Sequence, residues 1–503
     1  MNTIDWVKRA AGCRHEIKDF IAGKYVSCNQ TNHLVSKYSP RDGGLLYQFT
    51  SGNDTTLDAA IESAKRAFNE GCWRDMAVQN RASVLNRLAD LVEIHKEEFA
   101  LNEALDVGKP IAKALSEDIG HTIYCLRNNA EMAVGLVAPS ATIAGCHSYQ
   151  LRKPIGVVGA IVGWNYPLAL AASKVGPALA MGNSIVLKPS EFTSLSAARL
   201  AELAVEAGVP SGVFNVVHGT GTELGSAMAH SPDIDLVSFT GSSATGKQIM
   251  AASAKSNMKR LLLECGGKSP FIVFNDCPAD LQAVAANVVG TAFANQGALC
   301  VSGTRLLVQK SIKEKFLDYI KEHVALIKPQ DPLKFGTQMG AILNEAHMEK
   351  VLTYIRSGIE EGADLLCGGA RLRLPTDSPC KNGFYLEPTV FDNVAENQLI
   401  AKEEIFGPVL SVFSFDTEEE AIALANNTPY GLAAYVATTD LGRSQRLAQA
   451  LHAGSIKIFG TSSPGPKAAD LGLDPHKQSG FGWEGGVGGL LSYTANSMIH
   501  QFS

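Results

Sequence analysis

The chain of 503 residues lacks cysteines at metal-ligand spacing, although it contains ten cysteines in all. No two of them are separated by the few residues typical of zinc sites, so the sequence predicts no metal centre. We interpret nine of them as reduced thiols of a cytoplasmic protein, most of them small apolar core residues.

Basic clusters are also missing. Lys and Arg total 44 against 50 Asp and Glu, which gives a formal net charge of −6. Without a basic stretch, the chain is poorly suited to nucleic acid or to an anionic membrane surface. We therefore expect neither as a partner.

Long uninterrupted apolar runs are absent too. The most apolar region, residues 156–187, is broken by Asn165, Lys174 and two prolines. It is typical of a buried α/β core rather than a membrane span. Residues 1–9 lack the apolar centre of a signal peptide, which favours a cytoplasmic location.

What the sequence does contain is a rhythm of helices and buried strands. Residues 57–68 and 81–105 carry apolar stripes at helical spacing. Beyond about residue 155, helical segments alternate with short apolar runs, at residues 157–162, 185–187, 213–217, 236–239 and 261–263. This alternation predicts βαβ units with right-handed crossovers, and thus a doubly wound parallel sheet of the α/β class.

A second alternating series follows, with predicted strands at residues 271–274, 305–308 and 409–415 and predicted helices at 312–327 and 347–362. We expect two α/β domains joined near residue 264, with a ligand crevice between them at the carboxyl ends of strands. Residues 148–153 and 490–503 fit neither domain and predict exposed strands, whose unpaired edges a second subunit would cover. The alternative is a pair of surface hairpins.

Cys300 is the cysteine whose surroundings suggest chemistry. It follows an Asn-Gln-Gly turn among small residues, so backbone N–H groups can approach its sulfur and a developing oxyanion. Its thiol would benefit from a nearby positive charge or a helix N-terminus, because the thiolate is the nucleophile. Glu264 precedes Cys-Gly-Gly on a predicted tight turn, where poor solvation would raise its pKa and suit a general base. The alternatives are a structural cysteine and a solvated carboxylate.

Two glycine-containing turns are candidates for a dinucleotide site. Residues 219–225 follow a predicted strand but are equally typical of a tight strand-to-helix turn. Gly241 and Ser242 follow the next strand and open a helix whose N-terminus would favour a pyrophosphate. Glu191 ends another strand, where its carboxylate would bind ribose hydroxyls and repel a 2′-phosphate, favouring NAD over NADP. A helix-capping turn explains Glu191 equally well.

Motifs spread over essentially the whole chain resemble, in order, those of the aldehyde dehydrogenase superfamily. They begin at Leu105 (LDVGKP), Gly163 (GWNYP), Lys188 (KPSE), Phe239 (FTGS), Glu264 (ECGGK), Asn295 (NQGALC), Glu403 (EEIFGP), Asn427 (NTPYGL) and Lys477 (KQSG). The chain is broadly similar to the bacterial ω-aminoaldehyde and aromatic aldehyde dehydrogenases. The resemblance implies NAD-dependent oxidation of a small-molecule aldehyde to a carboxylic acid.

The resemblance assigns roles to particular residues. Cys300 would be the nucleophile that forms a thiohemiacetal and, after hydride transfer to the nicotinamide, a thioester. Glu264 would activate the hydrolytic water, and the Asn165 amide with the Cys300 backbone N–H would form the oxyanion hole. Lys174 and Glu484 would form a proton path behind the base. The residues assigned to the cofactor site are Trp164, Lys188, Glu191, Gly221, Gly241, Ser242, Glu404 and Phe406.

The same resemblance implies a domain organisation. The NAD-binding domain would comprise residues 1–137 and 154–263, and the catalytic domain residues 264–470. Two oligomerisation arms, residues 138–153 and 485–503, would assemble a homodimer or homotetramer.

Departures from the family pattern lie mostly near the substrate loop. Gly163, Cys265, Ala298, Phe459 and the segment 471–476 replace the residues usual there. The residues assigned to the pocket wall are Tyr166, Leu170, Ser173, Ala294, Leu299, Val301 and Phe459. Because Ser173 and Ala294 are small and no wall residue is a carboxylate, we expect a roomy apolar pocket for a bulky aromatic or long-chain aldehyde. An ω-aminoaldehyde or betaine-aldehyde-type substrate is the alternative.

Two other functions remain open. CoA-acylating semialdehyde dehydrogenases generally lack the carboxylate found here as Glu264, so its presence favours hydrolysis. A catalytically silent binding relative is disfavoured because Cys300, Glu264 and Asn165 are all present.

Overall fold

The structure is a computed structural model that describes residues 4–27, 33–277, 280–460 and 471–502. Its α-helices are α1 (Trp6–Ala11), α2 (Asp54–Glu70), α3 (Val78–Ile94), α4 (Lys96–Val107), α5 (Ile111–Lys113), α6 (Ile119–Val134), α7 (Pro167–Ala180), α8 (Ala197–Ala207), α9 (Ser226–His230), α10 (Ser243–Lys255), α11 (Leu281–Ala292), α12 (Lys313–Leu326), α13 (Glu345–Glu360), α14 (Leu399–Lys402), α15 (Glu418–Asn426), α16 (Leu441–Ala450) and α17 (Gly486–Ser492). Its strands are β1 (Asp19–Ile21), β2 (Lys24–Val26), β3 (Leu34–Tyr38), β4 (Leu45–Thr50), β5 (Ser140–Ile143), β6 (Cys146–Pro154), β7 (Val157–Ile161), β8 (Ser184–Lys188), β9 (Phe214–Val216), β10 (Leu236–Thr240), β11 (Arg260–Glu264), β12 (Pro270–Val273), β13 (Arg305–Gln309), β14 (Asp364–Cys367), β15 (Thr389–Asp392), β16 (Val409–Phe415), β17 (Tyr430–Gly431), β18 (Ala433–Ala437), β19 (Ser455–Phe459), β20 (His476–Lys477), β21 (Gly480–Phe481) and β22 (Thr494–Phe502).

The first large sheet has the strand order β2-β1-β9-β8-β7-β10-β11-β21 within the described residues. Its central strands from β9 to β11 are parallel, whereas β1 and β21 join antiparallel. Successive side chains alternate between faces. Val157 and Ile161 share a core with α2, α9 and α10, while Val158 and Ala160 share another with α3, α6, α7 and α8. Helices on both faces confirm the predicted doubly wound α/β class.

The second large sheet has the order β14-β15-β16-β13-β12-β18-β19 and is parallel except for β14. The chain crosses from the first sheet to the second between Glu264, the end of β11, and Pro270, the start of β12. This crossing lies where the sequence predicts the join. It returns to the first sheet through β21, and residues 461–470, where the predicted catalytic domain ends, lie outside the described residues.

The two predicted arms pair with each other in a three-stranded sheet of order β22-β6-β5. The predicted unpaired edges along residues 148–153 are partly closed within the chain, because β22 pairs with β6 over this whole stretch on one side. On the other side, the pairing with β5 extends only to Tyr149. The tail also differs from the prediction, since Leu490 belongs to α17 and the extended part starts at Thr494. The outer strands of this sheet are β5 and β22.

The predicted helix over residues 81–105 is two helices, α3 and α4. They meet at His95, whose ψ of 15° departs from the helical value of about −42° and redirects the chain. The apolar side chains of both helices still share one core, which is why the pattern continues across the break. Among the residues described, no helix combines the length and apolar character needed to cross a membrane.

Candidate active site

The loop that carries Cys300 has an unusual backbone. After α11, Asn295 and Gln296 adopt φ angles of 48° and 58°, and Gly297 follows at 75°. A Cβ atom on Gly297 would lie 2.1 Å from the carbonyl oxygen of Gly407, so only glycine fits there. Three successive left-handed residues reverse the chain sharply, and Cys300 lies partly buried just beyond them.

Two asparagine amides connect this loop to the start of α7. The Asn165 Nδ2 donates to the carbonyl oxygen of Ala298 at 3.0 Å. The Asn295 Nδ2 donates to the carbonyl oxygen of Asn165 at 2.9 Å. Asn165 is buried, so its amide is held beside the loop that ends at Cys300. A buried amide donor next to a thiol can stabilise negative charge on a carbonyl oxygen under attack.

Glu264 is the last residue of β11 rather than part of the predicted turn, and it is buried. Its pKa is raised well above the usual value, first by burial and then by the negative charges of Glu484 and Asp474, against the opposing charge of Lys174. A carboxyl group in this state holds a proton to higher pH than usual. A carboxylate with a raised pKa is a stronger base than a solvated one, which suits proton transfer from a thiol or from water.

The charges around Cys300 differ from the expectation of a nearby cation. Burial, followed by the negative charges of Glu404 and Glu264, raises the pKa of the Cys300 thiol to about 12. These two carboxylates come from separate segments, since Glu264 ends β11 and Glu404 lies between α14 and β16. In the absence of ligands, the thiol is consequently protonated at neutral pH.

Lys174 and Glu484 form an ion pair behind Glu264. Lys174 lies on α7 and is fully buried, and its Nζ contacts Glu484 Oε2. Backbone hydrogen bonds with Leu473 hold Glu484 in place. The Glu484 charge raises the pKa of Glu264 and the Lys174 charge lowers it, so both groups act on this carboxyl.

A cleft of about 390 Å³ opens beside the carboxyl ends of β8 and β10. Lys188, Glu191 and Gly221 line it, together with Gly241 and Ser242. The buried Lys188 Nζ donates to the carbonyl oxygens of residues 189 and 219 at 2.8 Å each and lies 3.7 Å from Glu191. The structure therefore brings five of the residues assigned to the cofactor site into one cavity.

The N-terminus of α10 also faces this cleft. Ser242 caps the helix by accepting from the Thr245 N–H at 3.2 Å, and both residues line the cavity. The first turn of α10 carries no acidic residue, which leaves the positive end of the helix dipole available to an anion. Thr240 Oγ1 is buried at the same wall and has no hydrogen-bond partner among the described residues. This set of donors fits a dinucleotide with a pyrophosphate.

The other residues assigned to the cofactor site are Trp164, Glu404 and Phe406. Gly267 N–H donates to Glu404 Oε1 at 2.9 Å, and burial raises the pKa of Glu404 to about 7. The Trp164 and Phe406 rings meet edge to face with centroids 5.2 Å apart. Phe406 has a φ of 59°, which is strained for a bulky residue.

A larger cleft of about 610 Å³ adjoins the Cys300 loop, and Tyr166, Ala294 and Asn295 line it. Of the other predicted wall residues, Leu170 lies beside Gly163 near Asn165, and Ser173 contacts the His121 imidazole on α6 at 3.3 Å.

Of the three remaining predicted wall residues, Leu299 and Val301 flank Cys300 in the chain, and Phe459 ends β19 of the second sheet. Leu299 accepts the Ser302 N–H through its carbonyl oxygen. The Tyr435 hydroxyl donates to the carbonyl oxygen of Val301 at 2.8 Å. Phe459 stacks on Phe271, with centroids 5.8 Å apart, in the core of the second sheet rather than in the lining of this cleft.

Sequence reasoning missed two residues of this region. The buried Lys109 Nζ lies 3.7 Å from the centroid of the Tyr166 ring and 2.5 Å from Asp118 Oδ1. His347 on α13 packs against Trp164 and Phe406. Lys109 could have been found from the sequence, because it belongs to the LDVGKP motif. His347 could not, because nothing in the sequence distinguishes its position in the helix. In the described ranges, no cluster of His, Cys, Asp and Glu has the composition of a metal site.

Comparison with known proteins gives a consistent result. The sequence profile described as "Aldehyde dehydrogenase family" matches residues 25–499. An NADP/NAD-dependent aldehyde dehydrogenase of Escherichia coli, PuuC, is 41% identical over 491 residues, which cover 97% of this chain and 96% of that protein. Aminoacetaldehyde dehydrogenase of Pseudomonas aeruginosa is 42% identical over 447 residues, covering 88% and 87%. A crystal structure of an indole-3-acetaldehyde dehydrogenase with NAD+ superposes with a TM-score of 0.95 at 42% identity, covering 99% of each chain.

Proposed function

The chain belongs to the aldehyde dehydrogenase family of NAD(P)-dependent oxidoreductases, and on that premise we propose that it oxidises an aldehyde to a carboxylic acid through a thioester on Cys300. The observation that carries this proposal is the convergence of Cys300, the Asn165 amide and a buried Glu264 with a raised pKa. These groups come from separate segments and supply a nucleophile, an oxyanion donor and a base.

The covalent steps follow from these three groups. The Cys300 sulfur bonds to the aldehyde carbon as its proton leaves to a base, and the Asn165 amide donates to the resulting oxyanion. NAD, when bound, supplies the acceptor for the hydride that leaves the same carbon, so that a thioester remains. Glu264 then takes a proton from water, the water oxygen bonds to the acyl carbon, and the C–S bond breaks. The sulfur recovers a proton, and the carboxylic acid leaves.

Residues of the 390 Å³ cleft would hold the cofactor. The Glu191 carboxylate fits ribose hydroxyls, and the N-terminus of α10 fits the pyrophosphate. Glu191 repels a 2′-phosphate, and Lys188 is already engaged with two carbonyl oxygens and with Glu191. NAD is therefore the preferred cofactor. Isothermal titration of the purified chain with NAD and NADP tests this, and tighter binding of NADP would contradict it.

The substrate we propose is an uncharged, bulky aromatic or long-chain aldehyde. The cleft beside Tyr166 has a volume of about 610 Å³, and the small side chain of Ala294 on its wall leaves room for a bulky group. Glu117, a carboxylate on its wall, already pairs with Lys113 at 2.8 Å. The Lys109 ammonium occupies one face of the Tyr166 ring, so that face is not available to a cationic substrate. The P. aeruginosa relative is an aminoacetaldehyde dehydrogenase, which keeps an aminoaldehyde as the second candidate.

A pair of isosteric substrates separates the two candidates. One is a butanal with a terminal trimethylammonium group, and the other carries a tert-butyl group in its place, so shape is constant and only charge differs. We expect a higher kcat/KM for the tert-butyl aldehyde and for indole-3-acetaldehyde, measured as NADH formation. A preference for the cationic aldehyde would move the assignment to the ω-aminoaldehyde class.

The same assay distinguishes hydrolysis from acyl transfer to CoA. NADH formation without CoA, lost in Cys300→Ala, is the result that we expect. Turnover only in the presence of CoA would place the chain in the acylating class. NAD binding without turnover on any aldehyde would leave a silent binding role.

We also propose that the chain forms a homodimer or homotetramer through the sheet of β5, β6 and β22. Its outer strands carry exposed apolar residues, with Ile143 75% and Phe502 82% exposed. Exposed apolar side chains on outer strands favour a second copy of the same sheet. Light scattering during gel filtration tests this, with Ile143→Lys and Phe502→Lys expected to dissociate the assembly. A monomeric wild-type chain would contradict it.

A further inference from the structure

Three aromatic side chains from distant segments form a cluster at the cofactor side of the site. The His347 and Trp164 rings meet edge to face with centroids 5.1 Å apart, and Trp164 meets Phe406 in the same way at 5.2 Å. His347 and Phe406 complete the cluster at 6.4 Å. Such edge-to-face contacts orient rings as well as burying them.

A hydrogen bond connects the imidazole to the strained residue of this cluster. His347 Nε2 lies 2.8 Å from the carbonyl oxygen of Phe406, and because a carbonyl accepts, Nε2 carries the proton. Burial lowers the pKa of His347 to about 4, so the ring is neutral at physiological pH. The bond holds the peptide that follows Phe406, whose φ of 59° an aromatic residue rarely adopts.

The start of α13 fixes the position of this imidazole. Asn344 caps the helix by accepting the His347 N–H at 2.8 Å. On the other side, Gly407 follows Phe406 and packs against Gly297 of the Cys300 loop. His347 therefore connects a rigid helix end to the segment that lies between the cofactor side and the nucleophile loop.

We propose that His347 is a positioning residue that holds Phe406 and Trp164 in the orientation that receives the nicotinamide end of the cofactor. This inference rests on the proposed function, because it assigns the Trp164 and Phe406 wall to NAD. His347 acts here through the bond to Phe406 and through ring packing on Trp164. Without it, the left-handed Phe406 would lose its restraint, and the free enzyme would have to reorder this wall on binding NAD.

Two substitutions separate the hydrogen bond from the ring. His347→Phe keeps an aromatic ring but cannot donate, whereas His347→Gln keeps a donor amide and loses the ring. His452→Gln, at an exposed histidine, is the matched control. We expect His347→Phe to weaken NAD binding to the apo-enzyme by roughly fivefold, the effect of one lost hydrogen bond, and His347→Gln to recover part of it. NAD binding is measured by isothermal titration calorimetry.

Kinetics and melting temperature distinguish positioning from a general structural role. The expected pattern is a raised KM for NAD with an unchanged KM for the aldehyde and a melting temperature near that of His452→Gln. Equal NAD affinity in His347→Phe and wild type would overturn the inference. A lower melting temperature together with raised KM values for both NAD and the aldehyde would overturn it too, because that pattern indicates a merely structural role. Failure of the wild-type chain to bind NAD would instead refute the proposed function itself.

Discussion

Gly267 lies so close to Cys300 that a Cβ atom on Gly267 would be 2.2 Å from the carbonyl oxygen of Cys300. Gly267 also donates its N–H to Glu404. One glycine therefore sets both the approach of the nucleophile loop and the position of a cofactor-side carboxylate. The contact joins the segment after Glu264 to the segment that carries Cys300.

Gly267→Ala should strongly lower the activity of the enzyme. The added methyl cannot fit, so the Cys300 loop must move, and a displacement of about 1 Å can cost roughly 10² in rate. We expect kcat/KM to fall by about that factor. Gly135→Ala is the matched control, because a Cβ there would meet only ordinary contacts of 3.7 Å and longer. A Gly267→Ala enzyme with nearly wild-type kcat/KM would show that the close approach is dispensable.

Alkylation of Cys300 in the apo-enzyme should be slow at neutral pH and accelerate steeply with pH. Burial and the neighbouring carboxylates raise the pKa of this thiol to about 12, and the thiolate is the reacting species. The rate should rise about tenfold per pH unit between roughly pH 7 and 10. Mass spectrometry of iodoacetamide-treated protein measures it, with the exposed Cys72 in the same digest for comparison. A plateau below pH 9 would contradict the expected charge environment.

Glu264→Gln should stall the reaction after the first turnover. The amide cannot take a proton from water, so the thioester on Cys300 would accumulate while steady-state turnover falls by roughly 10²–10⁴-fold. Rapid-mixing measurements should show a burst of NADH, and intact-protein mass spectrometry should show the acyl adduct. If the burst disappears together with turnover, Glu264 also acts before the thioester forms.

Glu484→Gln should shift the pH dependence of thioester hydrolysis to lower pH. The Glu484 charge raises the pKa of Glu264, and Lys174, with which Glu484 pairs, lowers it. Removing the negative charge and releasing the Lys174 charge from its partner both lower the pKa of Glu264. The base is then deprotonated at lower pH, and the ascending limb of the deacylation profile moves in the acid direction.

The melting temperature of Glu484→Gln is the control for this shift in the pH profile. An unpaired buried Lys174 should lower the melting temperature, but lost stability alone would reduce rates at every pH without moving the limb. An unchanged limb in Glu484→Gln would therefore rule out the proposed coupling.

The buried parallel strands were predictable because they are continuous apolar runs. The runs at residues 236–239 and 261–263 become β10 and β11 with only small changes at their ends. The arm sheet was not predictable in the same way. Thr494 pairs with Pro154, and nothing in the local pattern of either strand specifies a partner so distant along the chain.

The candidate site shows the same division. Cys300 and Glu264 can be recognised in the sequence because each lies next to glycines and small residues, which allow close backbone approach to a reactive side chain. His347 does not, because its partner Phe406 is 59 residues away and its own helix looks ordinary. The turn expected at Glu264 is instead a strand end, which buries the carboxylate more completely than a surface turn would.

By itself, the sequence determined the α/β class, the family and the residue types available for catalysis, because apolar periodicity and short motifs are local properties. The tertiary structure alone decided the protonation states. Cys300, Glu264 and Glu404 belong to separate segments, yet burial raises all three pKa values, and the negative charges of nearby carboxylates raise them further. Coulomb interactions and desolvation depend on distance and burial in space, and neither can be read from positions along the chain.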